Sequence, residues 1–132
     1  MFIKLYAIAL PIFFLFDMLW LGVIAKNLYK REIGHLMKDT VNWQAAIIFY
    51  LLFVIGLVFF VISPAIQKSS LLYAIVVGAF FGFITYATYD LTNLAVTKDW
   101  PFMITIVDLL WGSALGAIVC GLTYLVYTKL VV

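Results

Sequence analysis

The chain has 132 residues, of which 67% are hydrophobic and 11% are charged, and its mean hydropathy is +1.21. Soluble proteins contain roughly 45–50% apolar and about 25% charged residues, so this composition argues against a soluble enzyme, a disordered chain and a secreted disulfide scaffold. The formal net charge of +2 is too small to indicate a nucleic-acid partner. The composition therefore indicates an integral membrane protein.

Four stretches of the sequence are long and apolar enough to cross a membrane, which takes about 20 mostly apolar residues in a helix. We predict transmembrane helices over residues 3–25, 43–66, 71–96 and 102–127. These helices use most of residues 1–132, so we expect a single transmembrane domain. The predicted fold class is all-α, an integral membrane bundle of four antiparallel transmembrane helices.

The connections between the predicted helices differ in length. Residues 67–70 and 97–101 are tight turns, whereas residues 26–42 form the one extended loop. Apolar side chains at helical spacing around Tyr29 predict a short interfacial helix in this loop, although Gly34 weakens it.

The charges on the two membrane faces predict an orientation. The near face, defined by loops 26–42 and 97–101, carries five basic side chains, and the opposite far face carries three and the amino terminus. Because basic residues are retained on the cytoplasmic side, we expect the near face to lie in the cytoplasm. So small a difference also permits insertion in both orientations and a homodimer.

Three aspartates, Asp17, Asp90 and Asp108, lie inside the predicted helices. The rise of a helix places each about 9–12 Å from the near end of its own span. A carboxylate inside the bilayer costs about 2.5–3.5 kcal/mol on insertion scales, so such side chains face a protein interior or a water-filled cavity. We expect the three acids to converge in the near half of the bundle. At least one of them, most directly Asp90, is then expected to hold a proton near neutral pH.

Small residues lie on the same helix faces as two of these acids. On the third helix they share the stripe of Asp90, and on the fourth helix they share the stripe of Asp108. Small residues four apart allow membrane helices to approach closely, so we predict that the third and fourth helices pack through them. These residues are Gly78, Gly82, Gly112 and Gly116.

Polar side chains surround Asp90 on the third helix, namely Tyr86, Tyr89 and Asn93. One interpretation is a buried hydrogen-bond network that fixes this helix. The other is a site that handles protons or substrate, because ionisable groups inside a membrane are functional candidates by default. In either case we expect Tyr86 and Asn93 to form hydrogen bonds with Asp90.

Two tryptophans follow the other acids in matching Asp-x-Leu-Trp sequences. Asp17 precedes Trp20 and Asp108 precedes Trp111 by the same spacing, on helices of opposite direction. Such a match is typical of the remnant of an inverted repeat. The two indoles act either as packing wedges or as the walls of a pocket that holds a cation.

No spacing of histidines or cysteines predicts a zinc, copper or iron site, and no nucleotide-binding or nucleophile motif is present. We therefore predict no metal and no cofactor. The expected partners are membrane lipid and a small molecule, and no nucleic acid.

Several motifs, taken in chain order, resemble those of one family. The most specific is Tyr86-Ala-Thr-Tyr89-Asp90-Leu-Thr-Asn93, and the others are Asp17-Met-Leu-Trp20-Leu-Gly22, Tyr29-Lys-Arg31-Glu-Ile-Gly34, Trp43-Gln-Ala-Ala46 running into Phe49-Tyr50, and Val107-Asp108-Leu-Leu-Trp111-Gly112. Over nearly its whole length the chain resembles the small bacterial membrane proteins catalogued as domain of unknown function 2177. The resemblance implies a four-helix protein of a bacterial inner membrane and implies no activity.

These observations favour proton-linked transport or binding of a small amphipathic or cationic solute. The first alternative is a membrane-embedded enzyme that acts on lipid or a lipophilic substrate, and the second is an accessory subunit. A transporter requires a water path to both faces. An enzyme requires a pocket that is closed on the far side and open laterally to lipid.

Overall fold

The computed structural model describes residues 1–132 and contains helices and no strand. The predicted all-α fold with four spanning helices is confirmed, because four helices are long and apolar enough to cross a membrane. They are α1 (Phe2–Ile24), α3 (Trp43–Gln67), α4 (Leu71–Val96) and α5 (Phe102–Val131). The last helix continues past its predicted end at residue 127.

A short helix, α2 (Lys26–Ile33), follows α1 in the loop on the near face and ends in a 3-10 turn at Gly34–Leu36. It lies outside the four spans. Its basic side chains Lys26 and Lys30 are exposed, whereas Tyr29 is half-buried on its inner side. The helix therefore follows the near end of α1 with one face turned towards the bundle.

Side chains at the turns determine where the spans begin. The Asn42 side-chain oxygen accepts a hydrogen bond from the Ala45 N–H at 3.1 Å, and the Ser70 hydroxyl accepts one from the Tyr73 N–H at 3.0 Å. Both side chains cap N–H groups that have no partner within the helix. In the turn before α5, Asp99 adopts a positive φ of 62°, which reverses the chain.

The tightest helix contact joins α4 and α5 through glycine. A Cβ atom added at Gly78 would lie 2.7 Å from the carbonyl oxygen of Gly116, and one added at Gly112 would lie 2.8 Å from the carbonyl oxygen of Gly82. Such distances are shorter than Cβ atoms tolerate, so the two backbones are in direct contact. The four glycines predicted for helix packing therefore lie at one interface.

The far half of the bundle is filled by apolar side chains from α1, α3, α4 and α5. Its buried members include Leu5, Ala9, Leu57, Val58, Val61, Ile62, Ala65, Ala74 and Val119. The one buried polar side chain on the far part of α5 is Thr123. No charged group is buried there, so the far half offers no polar path through the bundle.

Candidate functional site

Three carboxyl groups are buried in the near half, one on each of α1, α4 and α5. The exposed fractions are 4% for Asp17, 0% for Asp90 and 6% for Asp108. The only ion pair in the structure joins Arg31 and Glu32, at 3.4 Å on the surface of α2. No lysine or arginine therefore neutralises the buried acids.

Tyr29 connects the surface helix α2 to the buried acids. Its hydroxyl donates a hydrogen bond to the Asp108 carboxylate and accepts one from Trp20 Nε1 at 3.1 Å. Burial first, and then the adjacent Asp108, raise the pKa of the Tyr29 hydroxyl above its ordinary value. The hydroxyl consequently keeps its proton, and remains a donor to Asp108, throughout the physiological pH range.

Trp20 and Trp111 stack on each other between α1 and α5. Their ring centroids are 4.5 Å apart and their planes differ by 8°. Trp111 Nε1 donates to the Asp17 carboxylate at 3.4 Å, while Trp20 reaches Asp108 through the Tyr29 hydroxyl. The matching Asp-x-Leu-Trp sequences thus meet at the stacked indoles. Because each ring covers a face of the other, no pocket lies between them, and the prediction that they line a pocket concerns their outer faces alone.

Asp90 and Asp108 form a carboxyl pair across the α4–α5 interface. Neither carboxyl oxygen of Asp90 has a hydrogen-bond donor. The Asp108 carboxyl lies within hydrogen-bonding reach of it, but two carboxylates hold no proton with which to form that bond. The two carboxyl groups form a hydrogen bond with each other only when one of them is protonated.

The structure does not bring two of the predicted side chains into this pair. Asn93 donates to the Tyr89 carbonyl oxygen at 3.1 Å and accepts from the Thr97 hydroxyl at 3.2 Å, so the expected hydrogen bond to Asp90 is absent. Tyr89 is 56% exposed, and its ring packs edge-on against Trp100 at 5.5 Å. Helical spacing predicted both side chains beside Asp90. Instead, the hydrogen bonds of Asn93 direct it along α4, and Tyr89 packs against Trp100.

Tyr86 is half-buried and packs on Gly112, yet it also forms no hydrogen bond with Asp90, contrary to expectation. Its hydroxyl lies within electrostatic range of Asp17 and Asp108. It therefore lies near the cluster without a hydrogen bond to Asp90.

Two tyrosines that were not predicted as site residues border the acids. Tyr29 contacts Asp108, and Tyr50, which is buried on α3, faces Asp17. Both tyrosines belong to the motifs on which the family resemblance depends. Tyr86 and Tyr89 share that membership, and the other four tyrosines of the chain lack it, so it is the signal in the sequence that could have identified Tyr29 and Tyr50.

The acids do not form a metal cage. No group of three or more His, Cys, Asp or Glu side chains is arranged to hold a metal ion. Asp17 is joined to the others through indole and phenol groups, whereas Asp90 and Asp108 adjoin. The arrangement can hold a proton, or a cation that donates hydrogen bonds, at the Asp90–Asp108 pair.

Two grooves on the outer surface of the bundle lie apart from the acids. One, of about 260 Å³, lies between α3 and α4 around Phe60 and Phe81, and the other, of about 410 Å³, lies along α4 and α5 around Ile75 and Leu122. Apolar side chains line both of them. They open towards lipid, and neither contains a carboxylate.

Comparisons with known proteins identify a family. The family model described as "Predicted membrane protein (DUF2177)" matches residues 2–125, which include the three buried aspartates. No similar protein was found among curated proteins or among solved structures. The family resemblance seen in the sequence is therefore confirmed.

Proposed function

For a chain that belongs to the DUF2177 family of predicted membrane proteins, we propose proton-linked binding of a small amphipathic or cationic solute at the Asp90–Asp108 pair. The proposal is based on the burial of Asp90 and on its lack of hydrogen-bond donors. It is completely buried, its two oxygens have no donor, and the group beside it is a second carboxyl without a basic partner.

The electrostatics of such a pair support exchange between a proton and a cation. Two unit charges 4 Å apart repel each other by about 4 kcal/mol at an effective dielectric constant of 20. Burial in a poor solvent adds a cost for each charge. The pair lowers this cost either by holding one proton or by binding one cation, and each state excludes the other. The binding of a cation then releases a proton.

Transport is the activity that this exchange would serve. The apolar far half and the glycine contact between α4 and α5 close the site from the far face in the present conformation, so solute would enter from the near side. Release on the far side would require a second conformation. Since four helices are few for a transport pathway, we place this activity in a homodimer.

Proton release tests the proposal. The purified protein in phosphatidylcholine nanodiscs, in weak buffer near neutral pH, is mixed with octylammonium or octyltrimethylammonium chloride, and a pH-indicator dye reports released protons. We expect up to one proton per bound cation from the unaltered chain and none from the Asp90→Asn/Asp108→Asn double variant. Asp99→Asn is the matched control, since Asp99 lies in an exposed turn. Equal release from all three proteins, or from none, would refute the proposal.

A membrane-embedded enzyme that acts on lipid is the second candidate. It is favoured by the closed far half and by the position of the acids near one end of the bundle. Asp17, for example, lies about 10 Å along the helix axis from the near end of α1. One of the carboxyl groups would act as a general acid or base. Mass spectrometry of nanodisc lipids after incubation checks this candidate, which requires a lipid product that Asp108→Asn abolishes.

We also propose that the near face lies in the cytoplasm of a bacterial inner membrane. Single cysteines in place of Lys38 and Lys68, with Cys120→Ala as background, are treated with an impermeant maleimide in intact cells. We expect only Lys68→Cys to react until the cells are permeabilised. Reaction of both in intact cells would contradict the four-span topology, and the reverse pattern would contradict the orientation.

A further inference from the structure

We infer that the cation recognised by the Asp90–Asp108 pair is a protonated amine with at least one N–H group on an apolar body, and that it replaces the Tyr29 hydroxyl at Asp108. This inference rests on the proposed function and narrows its solute to one chemical class. It follows from the unused acceptors of Asp90, the stacking of the indoles and the contact made by Tyr29.

When neither acid of the pair holds a proton, the acceptors of Asp90 are satisfied only by a ligand that donates hydrogen bonds. Both of its oxygens are buried without a donor, and a buried polar atom without a partner is costly. A primary ammonium has three N–H donors, enough to bond to oxygens of Asp90 and Asp108 together. A quaternary ammonium has the same charge and no donor, so it would leave these oxygens unsatisfied.

The two stacked indoles do not offer the alternative mode of recognition between their rings. Quaternary ammonium groups bind over the open faces of aromatic rings. Trp20 and Trp111 cover each other at 4.5 Å, and Trp20 also directs its N–H group to Tyr29. No cation can therefore bind between the two rings, and the unpartnered oxygens of Asp90 are the acceptors to which we assign the charge.

Tyr29 already holds a donor at the position that the amine would take. Its O–H group bonds to Asp108 from α2, and α2 lies outside the four membrane spans. Only Ala25, which is buried, separates the end of α1 from the start of α2. The competition follows if the amine that enters from the near leaflet takes the acceptor that this hydroxyl occupies, Asp108 Oδ1, and our inference assigns the amine to that oxygen.

Two sources share this chemistry, a free amphipathic amine and the ethanolamine headgroup of a phospholipid. Phosphatidylcholine has a quaternary headgroup, so nanodiscs of this lipid alone contain no competing N–H donor. Replacing part of it with phosphatidylethanolamine distinguishes the sources. Weaker binding of a free amine in the mixed nanodiscs would assign the site to the headgroup, and unchanged binding would assign it to a free solute; both results support recognition of an amine.

The experiment measures binding of tritiated octylamine to the protein in phosphatidylcholine nanodiscs by scintillation proximity, after subtraction of the Asp90→Asn/Asp108→Asn signal. We expect unlabelled octylammonium to compete at least tenfold better than octyltrimethylammonium. We expect Tyr29→Phe to bind the amine about tenfold more tightly, because the competing hydrogen bond to a charged group is lost. Tyr6→Phe is the control, since the Tyr6 hydroxyl bonds to the Leu51 carbonyl oxygen, away from the acids.

The outcomes separate this inference from the proposed function. Equal competition by the two compounds, with Asp-dependent proton release by both, would overturn the inference and leave the proposed function standing. Absence of Asp-dependent binding by either compound would remove both. Unchanged or weaker amine binding by Tyr29→Phe would overturn the competition. If Tyr29→Phe does not fold, Trp20→Phe is used in its place, because it removes one hydrogen bond of the Tyr29 hydroxyl. This variant is expected to strengthen amine binding by a smaller factor. Unchanged or weaker binding by Trp20→Phe would again overturn the competition.

Discussion

In the far half of the bundle the helices meet through backbone and apolar side chains, whereas in the near half they meet through carboxyl groups, indoles and phenols. The far core contains residues such as Leu57 and Val61, which are completely buried. The near half buries Asp17, Asp90 and Asp108 without a single basic partner. The far half thus secures the fold, and the near half contains groups whose burial costs free energy.

The two halves are joined where the glycine contact ends. Gly112 lies one helical turn from Asp108 on α5, and Gly82 lies two turns from Asp90 on α4. Direct contact between the two backbones therefore holds the acid-bearing segments close enough for their carboxyl groups to adjoin. Tight packing of the backbones in one half of the bundle therefore enforces an unfavourable pair of charges in the other half.

The largest expected effect comes from breaking the glycine contact. Gly82→Leu would drive a side chain into the Gly112 backbone, and overpacking of this kind costs about 1–3 kcal/mol or more. We expect loss of folded protein in fluorescence-detected size-exclusion chromatography. Gly22→Leu is the matched control and should fold, because nothing lies within 4 Å of an added Cβ atom there. Full tolerance of Gly82→Leu would mean that this face of α4 meets lipid.

The division into halves shows how much of the fold could be predicted. Hydropathy and length determine which segments span a membrane, since only helices of about 20 apolar residues satisfy the backbone in lipid. Glycines at a spacing of four indicated the α4–α5 contact, because few residues are small enough to allow two helix backbones to touch. Hydropathy, segment length and glycine spacing are properties of short stretches of sequence, and the helices and the helix contact that they predicted are present in the structure.

The candidate site was less predictable because its contacts are distant in the sequence. Tyr29 and Asp108 are 79 residues apart, and Trp111 and Asp17 are 94 apart. Helical spacing identifies the face on which a side chain lies, but the direction of a hydroxyl or amide depends on the partners that it finds. Asn93 found its partners along its own helix, which spacing alone does not indicate.

An intermediate effect is expected at the indole stack of the near half. Trp111→Phe keeps an aromatic ring but removes the N–H group that bonds to Asp17. Tyr50 still faces this carboxyl, so the substitution removes one hydrogen bond, which contributes about 0.5–1.5 kcal/mol, and we expect the free energy of unfolding in detergent to fall by roughly that amount. Trp43→Phe, at a position that is 51% exposed, should change it little. Equal effects of the two substitutions would show that the bond to Asp17 adds no stability.

The smallest expected effect on stability comes from the most deeply buried acid. Asp90→Asn keeps the shape of the side chain, removes a charge that has no partner, and supplies an N–H group that can donate to Asp108. We therefore expect the free energy of unfolding to stay the same or to rise by about 1 kcal/mol. Asp99→Asn on the surface is the reference for the chemical change alone.

Infrared spectroscopy gives the same substitution a sharper readout. If Asp90 and Asp108 share a proton, the unaltered protein shows a protonated-carboxyl band at neutral pH, which disappears as the pH is raised, and Asp90→Asn lacks it. The band must be lost because a lone Asp108, with Tyr29 and the new amide as donors, no longer has a neighbouring charge to avoid and ionises. A band that survives in Asp90→Asn would place the proton elsewhere. A strongly destabilised Asp90→Asn would mean that the ionised Asp90 supports the fold, and the contrast between the two halves would then be wrong.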